Sequence, residues 1–80
     1  MSSMNQEIKR SLTIAGHRTS ISLEPIFWDV LKEIAKFEKC SVAKIVADID
    51  EGRTPGEGSL SGAIRVYIVG RLRGRLNQNP

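Results

Sequence analysis

The chain has 80 residues, of which 40% are hydrophobic and 26% charged, with a formal net charge of +3. That makes one small soluble domain with a modest core, neither a disordered tail nor a membrane span. One cysteine and one histidine exclude an intrachain disulfide, a cysteine-based metal cluster and a Ser/His/Asp or Cys/His triad assembled with convergent carboxylates.

Residues 1–9 are polar and are expected to be flexible. They lack the apolar centre of a signal peptide, and the lone thiol Cys40 suits a reducing interior, so the expected location is the cytoplasm. A core is expected over residues 10–52. It opens with two alternating runs that are out of phase. Leu12 and Ile14 put their apolar side chains at even positions, whereas Thr19, Ile21 and Leu23 lie at odd ones. A straight strand cannot hold both phases, so a bulge or bend is expected at Gly16. The second run is the better strand, with Arg18, Ser20 and Ser22 on its polar side.

Pro25 ends that strand and suits the first turn of a helix. Phe27, Val30, Leu31, Ile34 and Ala35 then fall on one helical stripe. Ser41 is a good N-cap for a second helix, with Val42, Ile45, Val46 and Ile49 at i, i+3, i+4 and i+7, and Gly52 ends it. Residues 53–58 read as a loop. Ser59 caps a third helix over residues 59–75, weakened by Gly62, Gly70 and Gly74, and a flexible tail is expected over residues 76–80.

A lone half-apolar strand needs an edge partner and a cover. Within the chain the only other candidate partner is the short run of residues 11–14, across a tight loop; the economical partner is a second copy that lays its own strand antiparallel across a two-fold axis. The expected fold is therefore α+β, mainly α, with one strand per subunit shared in an intertwined homodimer. Ile21, Leu23, Phe27, Leu31, Ile34, Ile45 and Ile49 would form a core that neither subunit owns.

The run RTSISLEPIFWDVLKEIAKFEKCSVAKIVADI resembles a ribbon-helix-helix domain, the fold of the Arc and methionine repressors. The wider pattern GHRTSISLEPIFWDVL…SVAKIVADID…R…LSGAIRVYIVGRL, over residues 10–73, resembles short bacterial ribbon-helix-helix proteins with an additional C-terminal helix. The resemblance implies a dimeric, sequence-specific DNA-binding regulator, a repressor, whose two-stranded ribbon enters the major groove of double-stranded DNA.

By position, Arg18, Ser20 and Ser22 correspond to the base-contacting strand residues. Arg18 can clamp a guanine O6/N7 edge, while the two serines discriminate weakly. The start of the second helix, Ser41, Val42 and Ala43, offers amide groups to a phosphate, with Lys44, Lys39 and His17 as added contacts. A glycine is common between the two helices of such domains. Here Lys39-Cys40 stands there, so either one of the two adopts an unusual backbone conformation or the turn differs. The alternative function is a dimeric protein-interaction module or antitoxin-like protein with the same fold, its protein partner held by the third helix. Association of dimers on DNA stays open. No cofactor, metal site, catalytic residue or membrane partner is expected.

Overall fold

The computed structural model describes residues 6–54, 56 and 58–77. The chain runs β1 (Ile8–Ile14), β2 (His17–Leu23), α1 (Pro25–Glu38), α2 (Val42–Glu51) and α3 (Leu60–Asn77). The class is α+β, mainly α, with the additional C-terminal helix, as expected. The two strands pair antiparallel within one chain, from Ile8 opposite Leu23 to Ile14 opposite His17. This corrects the expectation of one strand per subunit: β1 supplies inside the chain the partner that a second copy was expected to bring. The change of phase has the same explanation. Paired positions have opposite parity, so even-numbered Leu12 and Ile14 share a face with odd-numbered Thr19 and Ile21.

Between the strands lies a two-residue turn rather than a bulge. Ala15 has φ 50° and Gly16 φ 82°. Positive φ at both central residues is the signature of a type I′ hairpin, whose twist matches that of the strands it joins. β1 begins at Ile8, inside the segment expected to be flexible, while residues 1–5 lie outside the described residues.

Pro25 occupies the first turn of α1, and the Glu24 carbonyl accepts from the amides of Phe27 and Trp28. Lys39 ends the helix in the left-handed region, at φ 59° and ψ 42°, the conformation a glycine would take without strain. The Cys40 amide then reaches back to the Ala35 carbonyl at 3.0 Å. Ser41 caps α2, its hydroxyl accepting from the Lys44 amide at 3.0 Å, and Ser59 does the same for the Gly62 amide at the head of α3. Arg53 pins the intervening loop by donating to Asp50 and to the Gly58 carbonyl. α3 runs on to Asn77, two residues into the expected tail; residues 78–80 lie outside the described residues.

α2 packs against β1 and α1, and α3 against β2, α1 and α2. Leu23, Leu31, Val46, Ile64 and Ile68 are fully buried between them, and Ile21, Ile34 and Ile45 are nearly so. Each such aliphatic side chain contributes about 1.5–3 kcal/mol of transfer free energy. Phe27 and Ile49 are partly buried against the same cluster. The residues expected to meet only between two copies thus form the core of a single chain. The reason is that β1 and α3 give them the cover a partner was expected to provide.

Arg65 ties α3 to the strand–helix junction, with Nη2 2.9 Å from a Glu24 carboxylate oxygen and 3.7 Å from Glu7. Its guanidinium also lies 5.8 Å from the Phe27 ring centroid. Arg71 pairs with Glu38, joining α3 to α1.

Candidate nucleic-acid interface

The register divides the hairpin into two unlike faces. On the inner face lie Leu12, Ile14, Thr19, Ile21 and Leu23, together with Arg10. The outer face consists of three cross-strand pairs: Lys9 with Ser22, Ser11 with Ser20, and Thr13 with Arg18. All six residues are polar and none is acidic. Lys9, Ser11, Thr13, Arg18 and Ser20 are exposed, and Ser22 is half-buried. Among the described residues neither Lys9 nor Arg18 belongs to an ion pair. A two-stranded ribbon fits the major groove, and its outward side chains reach the base edges there.

Arg18, Ser20 and Ser22 therefore share one face. The Ser22 amide donates to the Ser61 hydroxyl at 3.3 Å, so the start of α3 closes that end of the β2 edge. The open part of the face is the half nearer the turn, around Thr13, Arg18, Ser11 and Ser20. Lys9, Ser11 and Thr13 were not expected on this face because the first alternating run was not paired with the second as a hairpin. The opposite parity of Leu12 and Ile14, flanking an Ala-Gly turn, was the signal that could have found them.

His17 is exposed at the tip of the hairpin, but its parity places it on the inner face opposite Ile14, away from Arg18. Lys39 is exposed at the end of α1. Ser41 spends its hydroxyl on the Lys44 amide, and Val42 and Ala43 are half-buried in the first turn of α2, where amides lack partners within the helix. The Lys44 ammonium lies 2.8 and 3.0 Å from the two carboxylate oxygens of Asp48. That pairing raises the ammonium's pKa above its ordinary value, first through the hydrogen bonds and then through charge. It also sets an internal carboxylate against any phosphate that approaches. Of the phosphate candidates, Lys44 is thus already engaged.

Beneath the ribbon, the Arg10 guanidinium stacks 4.6 Å from the Trp28 ring centroid. A charge directed inward from a sheet edge discourages edge-to-edge aggregation, and the indole face offsets part of the burial cost. Among the described residues, Arg10 Nε is buried without a hydrogen-bond partner. No group of three potential metal-ligating side chains comes together, and no helix is long and apolar enough to cross a membrane, among the described residues.

A ribbon followed by two helices, with its polar side outward, defines a class of nucleic-acid-binding folds. The family model for the ribbon-helix-helix domain matches residues 7–72, and the chain belongs to that family, one of DNA-binding regulatory folds. Among solved structures, an uncharacterized protein from Bordetella pertussis Tohama I is similar at 29% identity and a TM-score of 0.63. The match covers 90% of this chain and 58% of that one, so the chain spans less than two thirds of that protein's length. No curated protein matches the chain.

Proposed function

We propose that the protein is a sequence-specific DNA-binding transcriptional regulator, a repressor, which lays the outer face of its hairpin in the major groove and acts as a pair of identical copies in the bacterial cytoplasm. The observation that carries this reading is the six-residue outer face, polar throughout, with two cations that no carboxylate neutralises among the described residues. Arg18 is the base reader, in bidentate contact with a guanine edge, and Ser20 and Ser22 adjust the fit. Ser41, Val42 and Ala43 hold a backbone phosphate at the head of α2, with Lys39 and Lys44 adding charge at its margin, and His17 meets a phosphate separately, from the tip of the hairpin.

Two copies carry 2 × (+3) = +6, enough for several phosphate contacts. The experiment is selection of genomic fragments with the purified protein, followed by titration of the selected site at several salt concentrations. Affinity should fall with salt at a log–log slope of about −0.9 per phosphate neutralised. A selected pool no different from the input, or binding that salt barely changes, would remove the reading.

A further inference from the structure

The two strands of the hairpin are held to the rest of the chain in different ways. Even positions of β1 and odd positions of β2 turn inward. Toward the turn, Ile14 is buried and Leu12 packs against the core, so apolar contact holds β1 there. Toward the open end, β2 is anchored by Ile21 and Leu23, which are 2% and 0% exposed, and by the Ser22 amide on the Ser61 hydroxyl of α3. The inward residues of β1 at that end are Ile8, which is 40% exposed, and Arg10. Arg10 stands directly opposite Ile21. At that one rung, β2 sinks an aliphatic side chain into the core while β1 lays a guanidinium on the Trp28 ring, 4.6 Å from its centroid.

This second foothold is directional. The guanidinium is planar and stacks on a flat aromatic face, a contact that resists sliding in a way that alkyl packing does not. Arg10 Nε is buried without a hydrogen-bond partner, and Arg10 belongs to no ion pair, among the described residues. An aliphatic side chain of similar length would fill the space and leave no donor unpaired. What it would not supply is orientation. Lys9 and Ser11 flank Arg10 on the outer face, opposite Ser22 and Ser20, so any roll of β1 about Arg10 tilts both rungs. Trp28 in turn stands near the head of α1, which runs unbroken to Glu38. The left-handed Lys39, with the Cys40 amide on the Ala35 carbonyl, then turns the chain directly into the head of α2.

We propose that Arg10 is a positioning residue for base readout: its stack on Trp28 sets the roll of the ribbon on α1, and with it the angle between the outer face and the head of α2. Arg10 itself touches neither base nor phosphate. The proposal rests on the reading of the outer face as a DNA reader, and the test keeps the two apart. Affinities for the selected genomic site and for non-specific DNA are measured by competition, together with the thermal midpoint of each protein. Arg10→Met should lower the ratio of specific to non-specific affinity about tenfold, the weight of one mismatched base pair. Its non-specific affinity, salt slope and melting midpoint should match the wild type. Trp28→Phe, which keeps an aromatic face, should retain most of the ratio. Trp28→Leu should lose as much as Arg10→Met, and the double variant no more than either alone, because the two side chains act as one unit.

An undiminished ratio in Arg10→Met, losses that add in the double variant, or specific and non-specific affinities that fall together would overturn the proposal. So would a salt slope shallower by about 0.9 in Arg10→Met, which would make Arg10 a phosphate contact. Should Trp28→Leu fail to fold, Arg10→Met against Trp28→Phe decides. A wild type that prefers no site removes the proposed function as well, whereas a site-specific wild type with an unchanged Arg10→Met removes this proposal alone.

Discussion

Thr13 and Arg18 face each other across the hairpin, one pair in from the Ala15-Gly16 turn, both on its outer face. The arginine therefore rises from a stiff, paired position close to the tip, beside a short side chain that leaves its guanidinium room. If this face reads DNA, Arg18→Ala should cost roughly 1–3 kcal/mol of specific binding and relax preference at one base pair. Thr13→Ala should shift preference at or next to that base pair, with a smaller loss. Competition binding against single-base operator variants reads both effects. An unchanged preference profile for Arg18→Ala would mean that the ribbon is not the reader.

Ala15 stands at φ 50° where a type I′ turn favours asparagine. An alanine held in the left-handed region costs on the order of 1–2 kcal/mol, and asparagine tolerates that region better. Ala15→Asn, which creates an Asn-Gly turn, is expected to stabilise the fold by about 1 kcal/mol. In a domain this small, that is a rise in Tm of about 4–8 °C. Thermal unfolding followed by circular dichroism measures it. A Tm that stays level or drops would show that the hairpin does not turn at Ala15-Gly16.

The helices were legible because their evidence is local. Pro25, Ser41 and Ser59 mark the starts, and of the two outcomes the missing inter-helix glycine left open, the left-handed backbone at Lys39 is the one found. The first strand was not legible at full length. Ile8, Lys9 and Arg10 present one apolar residue in three, and Arg10 breaks the inner pattern because its partner is the Trp28 ring, far away in sequence. Periodicity also says which side of an element is buried without saying what buries it. Ile21, Leu23 and Leu31 are buried, but the chain that covers them could not be read from spacing. The same holds for the outer face: parity grouped Arg18, Ser20 and Ser22, and only the register added Lys9, Ser11 and Thr13.

Acid should loosen the junction between β2, α1 and α3. The Glu24 carboxyl is held below its ordinary value of 4.5 by its own backbone amide first, then by Arg65, with desolvation opposing both. A depressed pKa means that the folded state favours the charged form. The resulting stability is fully present above the ordinary value and is lost as pH falls through the lower, folded one. Melting curves of wild type and Glu24→Gln should thus differ most near neutrality and converge in strong acid. A gap that persists unchanged at the lowest pH would remove the carboxylate from the cause.

Lys44 and Asp48 provide the sharpest test of the head of α2 as a phosphate site. With both carboxylate oxygens within 3.0 Å of its ammonium, Lys44 must surrender a contact before it can serve DNA. The pair is exposed, with side-chain exposures of 62% and 58%, so its loss should scarcely alter the fold. Asp48→Asn should therefore tighten DNA binding. If Lys44 then reaches a phosphate, the log–log salt slope should steepen by about 0.9. The Lys44→Ala change made in the Asp48→Asn background should abolish that steepening, because it removes the cation that the first substitution released. A slope that is the same in all three proteins would place the head of α2 away from the DNA backbone, and Arg18 and Lys9 would then be the cations to pursue.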